Sequence, residues 1–214
     1  MLFAALPLLS VQNPVDTRPA FLVLLVRPEN PAVISAEEGQ KIQTAHLAHL
    51  TKMWNDGYAK VAGPFMVDQR IRGIVVMRAE SEAKAKHECE QDPAVKANRL
   101  AVEIYPWSLS RTQFGPSAEP FKLAQQLLVL VERKGDVVEP SWTRERMGFF
   151  DAFGPRSKVL MEGEITSGNY LDMFVIDTMD KESVEAAVKR HPAVRRGFGN
   201  PVVLPWGCAR GVLN

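Results

Sequence analysis

Cysteine is scarce in this chain: Cys89 and Cys208 are the whole complement in 214 residues. Two thiols in unrelated contexts build no disulfide framework, and no Cys-x-x-Cys or Cys/His spacing offers a metal site. The fold must therefore rest on its apolar core. An excess of charge of one sign is also missing. The 26 basic and 25 acidic residues leave a formal net charge of +1, which gives no electrostatic footing for nucleic acid or an anionic membrane. No segment is long and apolar enough to span a bilayer. The opening stretch Met1–Val11 is apolar but too short, and it lacks both the preceding Lys or Arg and the following Ala-x-Ala-like site of a signal peptide. A cytoplasmic location is expected, with export through this segment as the alternative. A Gly-rich phosphate loop, a Ser/His/Asp order and a nucleophile elbow are all absent.

What the chain does contain is a statement made twice, about 100 positions apart, a period that means two related subdomains and not a solenoid of short repeats. Asp92-Pro93-Ala94-Val95 returns as His191-Pro192-Ala193-Val194. Tyr105-Pro106-Trp107 returns as Leu204-Pro205-Trp206, Val61-Ala62-Gly63 as Met161-Glu162-Gly163, and Phe21-Leu22-Val23-Leu24 as Leu127-Leu128-Val129-Leu130. The copies part company at polar positions. His46 and Asp92 of the first fall on Arg146 and His191 of the second.

Hydrophobic patterning supplies the elements. Phe21 to Val26 is a run of branched apolar residues, hence a buried strand. Ser35 with Glu38 three residues on forms a capping-box pattern that opens a helix ending at Gly57. Tyr58 to Ala62 reads as a strand, Gly63-Pro64 as a turn, and Ile71 to Ala79 as a second strand. Ser81 caps a helix running to about Glu90, which Asp92-Pro93 stops because a residue before proline is pushed out of the helical region. Alternation at Leu100, Val102 and Ile104 predicts a strand closing at Pro106. The second half repeats the order: strand 126–133, helix from about Ser141 to Phe153 with Thr143 as a cap and Gly154-Pro155 as a stop, strands 157–163 and 171–177, helix 181–190, strand 201–204.

Strand, helix, strand, strand, helix, strand is the ferredoxin-like βαββαβ plan, with both helices on one sheet face and the other face bare. The expected fold class is therefore α+β: two ferredoxin-like repeats that cover each other's bare faces and form a pseudo-dimeric α+β barrel within one chain. The expected organisation is a leader at 1–20, a first repeat at 21–107, a linker at 108–125, a degenerate second repeat at 126–206 and a tail at 207–214.

Several landmarks of the first half stand in register: Ala45-His46-Leu47-x-x-Leu50, Gly57 followed by Ala62-Gly63-Pro64, and Asp92-Pro93 ahead of Pro106. In these the chain resembles the YCII-related (YciI-like) family of the dimeric α+β barrel superfamily, well over residues 20–107 and more weakly over 126–206. The resemblance implies a small barrel enzyme with a His–Asp pair in a pocket, His46 and Asp92 here, and in at least one family member the elimination of chloride from a chlorinated hydroxyquinol. Arg146 and His191 depart from that pair, which puts an equivalent second site in doubt.

Read from the residues alone, an imidazole at position 46 can give or take a proton at physiological pH, and a carboxylate bonded to its far nitrogen would set its tautomer. A structural His–Asp hydrogen bond uses the same two residues, so both readings stand. Trp54 and Tyr58 are candidates to line an apolar substrate cavity, although a core uses such rings too. Arg146 and His191 together could bind a carboxylate or phenolate, since a guanidinium pairs with planar anions. His46, His49 and Asp92 mimic a two-histidine, one-carboxylate metal set, but no third histidine is near, and His49 is expected on the surface. The expectation is no metal and no cofactor. The expected partner is a small-molecule ligand or substrate, with no nucleic acid and no membrane. The chain is expected to be a monomer acting as a pseudo-dimer, with further self-association left open. The expected function is proton transfer on a small organic or aromatic substrate by a lyase, an isomerase or a dehydrochlorinase-like enzyme. The alternative is a non-catalytic ligand-binding or accessory protein on the same barrel.

Overall fold

The computed structural model of the chain describes residues 16–112, 114–118, 120–135, 143–151, 153 and 158–213. The first half runs β1 (Ala20–Val26), α1 (Ala36–Asn55), β2 (Ala59–Pro64), β3 (Ile71–Arg78), α2 (Glu82–Glu90), α3 (Pro93–Lys96) and β4 (Ala101–Arg111). The second runs β5 (Leu123–Arg133), α4 (Thr143–Asp151), β6 (Val159–Ile165), β7 (Tyr170–Ile176), α5 (Lys181–Val188), α6 (Pro192–Arg195) and β8 (Gly199–Ala209). The expected helix starts are where side chains can satisfy the first free N–H groups. Ser35 accepts from the Glu38 N–H, and Ser81 from the Lys84 N–H, each at 3.2 Å. Gly57, at φ 78°, takes the chain out of α1 in a conformation costly for other residues. Residues 1–15 of the expected leader 1–20, Thr143 as a cap and the Gly154-Pro155 stop lie outside the described residues or side chains.

Two short helices, α3 and α6, were not expected. In both, proline occupies the first turn, where its missing N–H costs nothing, so Asp92-Pro93 ends one helix and starts another. Other boundaries move because pairing with the opposite repeat extends strands that local signals would end. Gly63 and Pro64 do not turn the chain; they pair with Ile74 and Gly73 as the end of β2. β4 passes through Pro106, because Trp107 to Arg111 pair with Glu162 to Ile165 of β6. The expected linker 108–125 therefore gives up Ser108–Arg111 to β4 and Leu123–Gln125 to β5. The expected tail 207–214 likewise contributes Gly207–Ala209 to β8 and the buried Val212 and Leu213 to the core.

All eight strands form one antiparallel sheet in the order β2-β3-β1-β4-β6-β7-β5-β8. The last strand of the first repeat pairs with the second strand of the second repeat. The reciprocal join nearly closes the barrel: Phe65 bridges Trp206, and the Met66 N–H donates to the Pro205 carbonyl at 2.9 Å. The repeats were expected to pack as two sheets face to face. Their inward faces do meet in one core, and their edges pair as well, because strands long enough to reach the other repeat satisfy backbone groups that a sandwich would leave at open edges.

Inward side chains of both repeats, among them Leu22, Ile74, Trp107, Leu128, Met173 and Trp206, fill the barrel as one core. Outward side chains form a separate cluster under each repeat's helices: Phe21, Val23, Met53 and Met77 in the first, Val129, Phe150, Phe174 and Val188 in the second. This two-sided burial is why β1, β5 and β7 read as continuous apolar runs. Among the described residues, no helix is long and apolar enough to cross a membrane.

Candidate active site

His46 lies on the inner stripe of α1 and is 8% exposed; Asp92, the N-cap of α3, is 3% exposed. The His46 Nδ1 and the Asp92 Oδ2 are 2.7 Å apart. The other carboxylate oxygen, Oδ1, accepts the Ala94 N–H at 2.8 Å, so the short helix begun by Pro93 holds the carboxylate in place. An ionised Asp92 accepts a hydrogen bond from the Nδ1–H group and leaves Nε2 as the imidazole's free end. Nε2 makes no hydrogen bond among the described residues.

That free end belongs to a residue lining a cavity of about 1010 Å³ between α1 and the strands beneath it, near the top of the range for small-molecule sites, roughly 300–1,000 Å³. Ile42, Leu50, Ala62, Gly73 and Leu100 line it from the first repeat, and Phe121, Leu123 and Val212 from the second. Trp54 stands on this wall. Tyr58 does not. Its ring lies at the far end of α1 between Arg18 and Lys84, whose cationic groups sit 5.5 and 5.1 Å from its centroid. Phe65 belongs to the barrel core. His49 is half-buried, not exposed, with Nε2 bonded to the Glu88 carbonyl at 3.0 Å, which turns it away from any shared ligand set with His46. No cluster of three His, Cys, Asp or Glu among the described residues is arranged to hold a metal.

The second repeat answers this cavity with a filled interior. The structure does bring Arg146 and His191 together, but around carboxylates and not around a ligand space. Arg146 donates Nη2 to Asp172 Oδ1 at 2.9 Å and also bonds Asp172 through Nε. Its Nη1 pairs with Glu162, and its guanidinium stacks 4.7 Å from the Phe150 ring. His191 Nε2 lies 3.0 Å from Asp172 Oδ2, with its ring between Phe149 and Phe174. All four polar residues are buried. Burial alone would lower the Arg146 pKa, but the Asp172 and Glu162 carboxylates outweigh it and raise it, so the guanidinium stays charged. Among the described residues, Arg146 and His191, expected to bind substrate, are both buried and bonded to these carboxylates.

Register explains the contrast. Glu162 pairs with Phe174 as Ala62 pairs with Val75, and Asp172 sits opposite Val131 as Gly73 sits opposite Leu25. Where the second repeat places two acidic side chains under its helix, the first has a methyl group and a hydrogen. Both small residues line the cavity. Sequence reasoning missed Asp172 and Glu162, although a charge inside an otherwise apolar strand signals a buried partner. It also missed Arg27, Arg72 and Arg99 on the cavity wall.

The profile of the YCII-related domain matches residues 21–108, the segment that contains His46, Asp92 and most of the cavity. No curated protein matches the sequence. Among solved structures, the chain is similar to a chlorite dismutase-like protein (TM-score 0.55, 10% identity, covering 92% of this chain and 95% of that one). It is also similar to a monooxygenase-like protein of Lactobacillus acidophilus NCFM (TM-score 0.47, 13% identity, 92% and 99%) and to a dye-decolorizing protein from V. cholerae (TM-score 0.46, 10% identity, 90% and 94%). At 10% identity the likeness is one of fold: the chain has the α+β barrel fold in a single polypeptide, and its residues 21–108 match the YCII-related domain.

Proposed function

We propose that this protein is a small enzyme that transfers a proton on a small organic or aromatic substrate held under α1, as a lyase, an isomerase or a dehydrochlorinase. The observation that carries this reading is the 2.7 Å contact of His46 Nδ1 with Asp92 in the wall of the cavity. Asp92 keeps the proton on Nδ1, so Nε2 presents a lone pair to a bound C–H or O–H acid. The imidazolium that forms is stabilised by the same carboxylate and can return the proton to another atom of the substrate or to a leaving group. The apolar wall excludes water and strengthens each electrostatic contact made inside. The second half, with Arg146 and His191 in place of the pair, is a degenerate copy kept for barrel closure, and one chain supplies what would otherwise be two subunits.

The experiment is proton exchange in D2O, followed by NMR over a panel of small carbon acids, with wild type and His46→Ala compared. Exchange or elimination that falls by about a hundredfold in His46→Ala, a common loss for a missing general base, supports the reading. Ligands bound equally by both proteins with no turnover by either would make this a binding protein.

A further inference from the structure

The cavity that holds His46 is lined by three arginines, Arg27, Arg72 and Arg99, and by no aspartate or glutamate among its described residues. Sheet register gathers them. Val26 pairs with Ile71 on one side and Ala101 on the other, so Arg27 just after β1, Arg72 at the start of β3 and Arg99 just before β4 emerge at one end of the sheet. Arg27 and Arg72 share a single carboxylate, Asp68, which is 73% exposed and stands outside the wall. Arg99 makes no ion pair among the described residues. One of its N–H groups goes to the Ala32 carbonyl at 2.6 Å, leaving the other donors of its planar fork uncommitted. Two positive charges at this end therefore lack a balancing carboxylate on the wall, and most of the remaining lining is apolar.

Building on the reading of this cavity as a substrate site, we infer that its substrate is a small carboxylate with an apolar or aromatic body. Its anionic end is held by Arg99 with support from Arg72 and Arg27, and its body lies against Ile42, Leu50, Trp54 and Leu100 toward His46. A guanidinium fork matches a carboxylate in two parallel hydrogen bonds. An anion pinned at the arginine end also fixes which part of the body reaches the imidazole. That is the orientation a proton-transfer site needs, and apolar contacts alone do not provide it.

The test is calorimetric titration of the full chain at low salt with benzoate, phenylacetate and hexanoate, each beside its uncharged primary amide. The expected result is binding of at least one acid about tenfold more tightly than its amide, given the greater strength of charge-assisted bonds. That preference should largely disappear in Arg99→Gln and partly return in Arg99→Lys. Equal affinity for acids and amides, or a preference unchanged in Arg99→Gln and Arg72→Gln alike, would overturn the proposal. His46→Ala should keep the acid preference. An anion preference with no proton exchange on any acid would therefore leave the arginine site standing and remove only the proton-transfer reading.

Discussion

The indole nitrogen of Trp206 donates to the Gly63 carbonyl at 2.9 Å, across 143 positions of chain. This bond ties the last strand of the second repeat to the second strand of the first. Its counterpart, Trp107 against Gly163, keeps the same ring-over-glycine packing, but the Trp107 nitrogen has no hydrogen-bond partner among the described residues. The two Pro-Trp ends thus mark both joins of the barrel, and each requires a glycine opposite. A β-carbon at position 63 would lie 1.7 Å from the Gly207 carbonyl oxygen, and one at position 163 would lie 2.8 Å from the Ser108 carbonyl oxygen. Backbone must move in either case. Gly63→Ala is expected to lower stability by about 3 kcal/mol, at the upper part of the overpacking range, as read by urea melts; a loss near zero would show that β2 and β8 do not approach as closely as described.

Neither repeat can close the barrel by itself. A fragment ending after β4 would expose the inward faces of Leu22, Ile74 and Trp107 and the free edges of β2 and β4, an aggregation-prone combination. Such a first-half fragment should elute as a dimer or precipitate, and a soluble monomer with native-like circular dichroism would refute the shared core.

Asp92 has two tasks, and substitutions separate them. Asp92→Ala loses both the cap on Ala94 and the bond to His46, and should cost about 1–3 kcal/mol. Asp92→Asn can keep the cap, but it turns an amide N–H toward Nδ1 and so moves the imidazole proton to Nε2, the wrong nitrogen for a base. Its melt should stay closer to wild type while activity falls sharply. An Asp92→Asn variant that is fully active would remove tautomer control from the mechanism.

Arg146 is a different kind of residue from His46, despite their equivalent positions. Arg146→Met would remove the guanidinium that both buried carboxylates, Asp172 and Glu162, face, at a cost of about 3–5 kcal/mol. Ligand affinity in the first repeat's cavity should be unaffected in whatever fraction remains folded. A stable Arg146→Met variant with weakened ligand binding would reverse these roles.

Burial pushes both thiols, Cys89 and Cys208, up from 9.0 to about 12. They should resist alkylation at pH 8 in the native protein and react at once after denaturation. The folded value exceeds the unfolded one, so the thiols' contribution to stability is complete below pH 9.0 and diminishes as pH rises from there toward about 12. Fast labelling of either cysteine at pH 8 would show a more open core.

Sequence by itself carried the βαββαβ order of each half and singled out His46 and Asp92, which the fold brings into contact. Runs such as Phe21–Val26, the caps Ser35 and Ser81, and the stop at Asp92-Pro93 are local signals, and one hydrogen-bonding residue or one proline is enough to place each of them. Tertiary structure alone decided the rest, because the deciding contacts join residues far apart in sequence. β4 runs beyond Pro106 because β6 is there to receive it. Asp172 draws Arg146 and His191 together and Glu162 pairs with Arg146, while the small residues Ala62 and Gly73 line the cavity beside His46. The three arginines sit on different segments with no common motif. Only the register of β1 with β3 and β4 brings them to one end of one cavity.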